Sequence, residues 1–187
     1  VTNWRIGEAA FGSLDPWRRQ GAFSEFVTVA CQAVTRKPAN VSFEEAATLG
    51  VAAATAYQAL IDHAHLAAGQ TLLLLGASGG VGSFTLQLAR HLGAVVTAVA
   101  SGANAAYVTG LGARRVIDYT TEDFRGIGER FDVVFDAAGV SDFASCRRLL
   151  NARGLYLTTV PGALTFVRAA FGRLRPQQRV IPVMLRR

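Results

Sequence analysis

Lysine is almost missing from this chain. Lys37 is the only one in 187 residues, so no lysine is available beyond it to anchor a phosphate or assist catalysis. Cysteine is nearly as scarce. Cys31 and Cys146 lie far apart with no clustered histidine, which excludes a disulfide framework and a Cys/His metal centre. Each reads as a packing residue in a reduced, cytoplasmic protein. No apolar run is long enough to span a membrane: the stretches around Ala46 to Leu60 and Thr71 to Leu75 are short or broken by Gly, Gln and Thr. The first residues lack the basic start and apolar core of a secretory leader. A chain that begins on Val1 is nonetheless expected to continue upstream. Acidic residues are absent from His63 through Ile117 and again after Asp142, a point that nine arginines follow. The net charge of +6 therefore sits largely in the last quarter. Such a bias suits a phosphate-bearing partner, but a solvated face opposite an acidic segment is the simpler reading, and nucleic acid is not expected.

What the chain does have is 51% hydrophobic and 17% charged residues, the balance of a globular protein with a real core. Its organising stretch is Leu72-Leu-Leu-Leu-Gly-Ala-Ser-Gly-Gly-Val-Gly82, an apolar run that ends in glycines and enters a helical pattern. The order strand, glycine turn, helix is that of a dinucleotide-binding βαβ unit. Gly79, Gly80 and Gly82 would permit a tight turn, close approach of backbone to a pyrophosphate, and packing of helix on strand. The spacing departs from G-x-G-x-x-G, since Ala77 stands where the first glycine belongs and Gly76 comes one residue early. Context supports the reading. Phe84, Leu86, Leu88, Ala89 and Leu92 fit one buried face of a helix over 83–92, Gly93 can cap it, and Val95 to Val99 is a short β-branched strand. The unit closes in about 30 residues, as such units do.

Taken in order, the chain predicts short strands within Val1 to Gly12 and Ala22 to Val29, joined by a loop holding Gly12, Pro16 and Gly21. Ser42 with Glu45 three residues on reads as a capping box, so Glu44 and Glu45 serve a helix start and not a catalytic carboxylate pair. A small-residue helix over Ala52 to Ala64 leads to the central strand. Beyond the first unit the pattern predicts a helix from Ala105 to Leu111, strands at Arg115 to Tyr119 and Phe131 to Phe135, and a helix over Ser141 to Leu150. A strand over Leu155 to Val160, an amphipathic helix over Leu164 to Leu174 with Arg168 and Arg173, and a strand over Arg179 to Leu185 follow. Six strands alternating with helices imply an α/β fold with a doubly wound parallel sheet, its crevice at the carboxyl ends of the strands where their order reverses.

Cofactor preference can be argued from an absence. An NAD-selective site places Asp or Glu about 20 residues beyond the glycine turn to bind the ribose 2′-OH. Here the second strand runs into Ala100-Ser-Gly-Ala-Asn104, small neutral groups that would not repel a 2′-phosphate. NADPH is the expected cofactor, although no arginine stands there to hold the phosphate.

Gly21-Ala-Phe-Ser-Glu-Phe-Val, Lys37-Pro-Ala-Asn-Val-Ser-Phe-Glu-Glu-Ala-Ala, Ala54-Thr-Ala-Tyr-Gln-Ala-Leu, Gly76-Ala-Ser-Gly-Gly-Val-Gly and Leu111-Gly-Ala-Arg-Arg-Val-Ile-Asp-Tyr carry a family resemblance. In this order they resemble the zinc-free quinone oxidoreductase (zeta-crystallin-like) branch of the medium-chain dehydrogenases. The resemblance implies that residues 1–45 are the tail of a GroES-like, β-rich catalytic domain and residues 46–187 a Rossmann domain. It also implies that the front of the catalytic domain and the C-terminal return to it are absent, so that this chain alone is expected to bind nucleotide with or without turnover. By position, Ser78, Gly79, Gly80, Val81 and Gly82 would hold the pyrophosphate. Ser101, Asn104 and Tyr119 would surround the 2′-phosphate, Ala138 and Gly139 would pass the ribose, and Thr55 would lie beside the nicotinamide. The position of Asn104 is often basic in relatives. Gly50 and Ala53 replace a common proline and glycine.

The position of the family's zinc-ligating cysteine falls near Val51, the loop from Phe11 to Gly21 has no cysteine, and His63 and His65 diverge at a helix end, so no metal is expected. The implied reaction is hydride transfer from NADPH to a quinone or other electron-poor alkene or carbonyl, by a homodimer in the full-length protein, with no catalytic acid assigned. An enoyl-thioester reductase of the same superfamily and a non-catalytic nucleotide- or RNA-binding protein on this scaffold stand as alternatives. A short-chain dehydrogenase, which shares a similar turn, is excluded because it needs a Tyr-x-x-x-Lys pair, and a P-loop NTPase because no Gly-Lys-Ser/Thr follows the glycines.

Overall fold

The computed structural model describes residues 4–14, 21–172 and 178–184. A two-stranded antiparallel pair, β1 (Ala10–Gly12) and β2 (Val34–Arg36), precedes a helical stretch. That stretch runs as α1 (Phe43–Thr48), a π-type segment Leu49–Ala53, α2 (Ala54–Tyr57) and a second π-type segment Gln58–His63. The alternating part follows: β3 (Thr71–Leu75), α3 (Gly80–His91), β4 (Val95–Ala100), α4 (Ala105–Leu111), β5 (Arg115–Asp118), β6 (Phe131–Asp136), α5 (Phe143–Cys146), β7 (Leu150–Thr158), α6 (Ala163–Gly172) and β8 (Arg179–Pro182). The six later strands form one sheet in the order β5-β4-β3-β6-β7-β8, and every pairing is parallel. This is the doubly wound α/β fold. The order reverses at β3, which has β4 on one side and β6 on the other, so the crevice opens at its carboxyl end.

The sequence dictates this centre. Leu72, Leu73, Leu74 and Leu75 are all fully buried, as a strand covered on both faces requires. Their side chains alternate: Leu72 and Leu74 pack with Leu60, Leu86 and Ala89 on one face, and Leu73 and Leu75 with Leu149, Leu150 and Tyr156 on the other. Removing one of these leucines to alanine would cost about 2–5 kcal/mol, the usual range for a core cavity. At the opposite end of the sheet the Asp132 carboxylate accepts from the Thr71 N–H (2.9 Å) and hydroxyl (3.0 Å) and from the Asn151 amide (2.7 Å). One carboxylate thereby sews β3, β6 and β7 together.

Several expectations hold. The capping box is present, Ser42 accepting from the Glu45 N–H (3.1 Å) while Glu45 accepts from the Ser42 N–H (2.8 Å). Gly93 turns with φ +74° after α3, and Gly112 ends α4. Others are corrected. Ala22 to Val29 forms no strand, because no strand lies beside it among the described residues to take its backbone hydrogen bonds; Phe23 and Phe26 are exposed, and β1 pairs with β2 instead. The helix expected at Ala52 is one part of the longer helical stretch from Phe43 to His63. The helix expected over Ser141 to Leu150 is a single turn, α5, and a 3₁₀ turn at Arg147–Leu149, and β7 starts at Leu150 through an irregular register. The helix α6 packs against β8 and leaves Leu164, Phe166 and Val167 exposed. Val1, Pro16, Arg173, Leu174 and Leu185 lie outside the described residues.

Candidate cofactor site

The site begins where β3 ends. Gly76 has φ +74°, and a Cβ there would meet the Ala138 Cβ at 2.6 Å, so the turn out of β3 admits only glycine. Gly82 is required for a different reason: a Cβ at this position would run into the Gly76 carbonyl and Ala77, so the first turn of α3 rests directly on the strand end. Gly79 and Gly80 answer to neither demand. A Cβ would meet the Gly76 oxygen at 3.4 Å from Gly79, and the Ala52 Cβ at 3.7 Å from Gly80, both ordinary contacts. Bare backbone is thus kept at two positions where the protein itself could take a side chain.

These positions open the helix. Gly79 is the N-cap of α3 and offers no side-chain oxygen to the N–H groups of the first turn. Such groups have no partner inside the helix, and together with the helix dipole they favour a phosphate. The uncapped start and the unfilled space at Gly79 and Gly80 are what a dinucleotide pyrophosphate needs, and the residues present fit that group.

A second set of side chains gathers at the end of β4. The Asn104 amide donates to the Ser101 hydroxyl (3.1 Å) and across to the Ser78 hydroxyl (3.3 Å), joining the turn after β4 to the turn after β3. Sequence reasoning missed the acid at this place. Asp118, the last residue of β5, lies with its carboxylate against Gly102, where a Cβ would run into Oδ2, and takes the Thr120 N–H (3.0 Å) and hydroxyl (2.7 Å). Those Thr120 bonds hold the carboxyl below the usual aspartate range. The register of a parallel sheet carries it there: Asp118 pairs with Ala100, one residue before Ser101.

A cleft of about 700 Å³ lies at these strand ends, lined by Gly76, Ser78, Tyr119, Phe124, Ala138 and Val140 among others. Tyr119 is exposed at its rim. Its far wall, the loop after β6, is built around a second residue that the sequence reading passed over. Asp136 is fully buried, and its carboxylate accepts the N–H groups of Ala138 (3.2 Å), Gly139 (2.8 Å), Val140 (3.2 Å) and Ser141 (2.8 Å). Tyr156 donates to Asp136 (3.3 Å) and to the Ser141 carbonyl (3.0 Å); burial, then the Asp136 charge, pushes its phenol far above the ordinary value. Beneath the loop, burial raises the Cys146 thiol to about 11. The signal for Asp136 was an acid in the last place of a strand, directly after the apolar run Val133-Val-Phe135.

Of the expected site residues, the structure brings Ser78, Gly79, Gly80, Val81, Gly82, Ser101, Asn104, Tyr119, Ala138 and Gly139 to the carboxyl ends of β3 to β6. Thr55 stands apart, buried in α2, on the helical stretch that touches the glycine turn through Ala52. Val51 is exposed, and among the described residues no group of three or more His, Cys, Asp or Glu is placed to hold a metal.

Residues 80–160 match the family model described as zinc-binding dehydrogenase. The chain is 40% identical over 151 residues to the 2-methylene-furan-3-one reductase of Solanum lycopersicum, covering 77% of this chain and 39% of that protein. It is 37% identical over 134 residues to the chloroplastic NADPH-dependent alkenal/one oxidoreductase of Arabidopsis thaliana, covering 71% and 34%. The fold superposes on the quinone oxidoreductase from Coxiella burnetii with a TM-score of 0.88 and 28% identity, covering 100% of this chain and 58% of that one. The chain belongs to the medium-chain dehydrogenase/reductase superfamily. It spans less than two fifths of these two curated relatives. No helix of the described residues is long and apolar enough to cross a membrane.

Proposed function

We propose that this chain is the NADPH-binding part of an oxidoreductase that delivers hydride, without zinc, to a quinone or another electron-poor alkene or carbonyl. The observation that supports it most is the pair Gly79 and Gly80, left without side chains at an uncapped helix start that faces the strand-end crevice. The relatives named for alkenal/one, furanone and quinone substrates favour the same acceptor class. Residues 1–45 would belong to a GroES-like catalytic domain and 46–187 to the nucleotide-binding domain, in a cytoplasmic homodimer.

When bound, NADPH supplies the hydride, and the acceptor gains it at its electron-poor carbon and a proton from solvent. The protein's part is to bind and orient. The N–H groups from Ser78 to Gly82 would hold the pyrophosphate, and Ser101, Asn104 and Tyr119 would flank the 2′-phosphate. Ala138 and Gly139 would lie along the ribose on a loop fixed by Asp136, and Thr55 would stand beside the nicotinamide. Position and exclusion of water then carry the rate.

The test is NADPH oxidation by this chain with a simple quinone, an enone and an enoyl thioester in parallel. Turnover with the quinone or enone supports the proposal. Turnover with the thioester alone would reassign the acceptor, and binding without turnover would confine the chain's role to holding nucleotide.

A further inference from the structure

The turn from Ser101 to Asn104 contains no charged side chain, and the sequence reading took this as favourable to a 2′-phosphate. In space the turn is not neutral. Asp118 reaches it from the neighbouring strand, its carboxylate lying against Gly102, between the two residues expected to flank that phosphate. Its carboxylate accepts hydrogen bonds from the Thr120 N–H and hydroxyl, both neutral donors.

The remaining charges at this end of the cleft do not offset it. Glu122, Asp123 and Arg125 line the cleft on the loop after β5. Arg125 is committed to Asp123 (3.3 Å) and to the Val140 carbonyl (3.4 Å). Glu122 is paired with Arg115 (3.3 Å), which also binds Glu129 (2.6 Å). Among the described residues no cation pairs with Asp118. The charged group beside the turn that ends β4 is therefore a carboxylate, supplied by β5 instead of by β4 itself.

We infer that Asp118 is the specificity-determining residue at the ribose end, opposing a 2′-phosphate so that the chain takes NADH as well as NADPH. The inference rests on the dinucleotide reading above and deepens it. A carboxylate facing a phosphate of nearly two charges across roughly 6 Å of partly solvated space changes affinity by about tenfold. That is enough to level a modest preference.

The experiment is fluorescence titration of NADPH and NADH on the wild-type chain and on Asp118→Asn, with circular dichroism to establish folding. Asparagine keeps an acceptor oxygen and removes the charge. The wild type should bind both cofactors with affinities within about tenfold of each other, and the variant should raise the NADPH-to-NADH affinity ratio by about tenfold. A merely structural role would weaken both cofactors alike and leave the ratio unmoved, which would overturn the inference; so would a wild type that prefers NADPH by more than about a hundredfold. Should the variant fail to fold, salt on the wild type serves instead. Screening should raise the same ratio as ionic strength increases, and a flat or falling ratio counts against Asp118. If neither cofactor binds to a folded chain, the dinucleotide reading falls and takes this inference with it; if both bind and the ratio ignores Asp118, only the inference falls.

Discussion

The Asn104 amide donates to the Ser78 hydroxyl over 3.3 Å and twenty-six residues of sequence, so the turns after β3 and β4 are one unit. Ser78 belongs to the glycine turn and Asn104 opens α4, and between them lies the place proposed for the phosphates of the cofactor. Replacing Asn104 by alanine removes this tie without disturbing a buried surface. The fold should lose about 1 kcal/mol at most, while NADPH affinity should drop by about three- to tenfold in titration.

The glycines divide into two kinds, and substitution should separate them. Gly82→Ala forces a methyl group into the Gly76 carbonyl and Ala77, so it should destabilise the chain by about 1–3 kcal/mol or more in urea unfolding. Gly80→Ala meets only the Ala52 methyl at 3.7 Å. It should leave the fold as stable or up to about 1 kcal/mol more stable, since alanine favours helix, yet weaken NADPH binding by at least about tenfold. A Gly80→Ala protein that binds as the wild type does would mean that no pyrophosphate approaches there.

Asp136 should matter to stability whether or not a reaction takes place. Its carboxylate accepts four backbone N–H groups of one loop, and hydrogen bonds to a charged group contribute about 1.5–3 kcal/mol each. Asp136→Ala should therefore cost at least about 3 kcal/mol, because the loop donors cannot all find new partners together. Chemical denaturation reads the loss.

Acid should act through Asp132. Partial burial pushes its carboxyl up, but the hydrogen bonds from Thr71 and Asn151 outweigh this and hold it below the ordinary aspartate value near 3.8. A depressed folded pKa means stability that is fully present above about pH 4 and is lost as pH falls through the folded value. Asp132→Asn should be less stable than wild type at pH 7 and should lose less of its stability on acidification to pH 3. Parallel acid titrations of the two proteins followed by circular dichroism check the sign.

The thiols give a simple count. Cys31 is exposed, whereas Cys146 is fully buried with its thiol raised to about 11. A thiol reagent at pH 8 should label one cysteine in the native chain and two after unfolding.

Much of this architecture was legible in the sequence because local rules and burial agree there. The four leucines before Gly76 are buried on both faces, and the capping box at Ser42 and the turn at Gly93 are local devices that need no tertiary contact to form. Ala22 to Val29 was misread because its aromatics suggest a strand, while a strand exists only beside a partner. The glycine turn that carries the candidate residues was legible for the same local reason. The places of Asp118 and Asp136 were not, since they come from register and burial: one is carried beside Ala100 by strand pairing, and the other turns its carboxylate onto a loop that follows it. An argument from missing acids counts residues along the chain, and the parallel sheet placed one across it.

The most direct test of the account is a fluorescence titration of this chain with NADPH and NADH. The account predicts saturable binding of a reduced nicotinamide cofactor, weakened by Gly80→Ala in a protein that remains folded by circular dichroism. A folded wild-type chain that binds neither cofactor would contradict it.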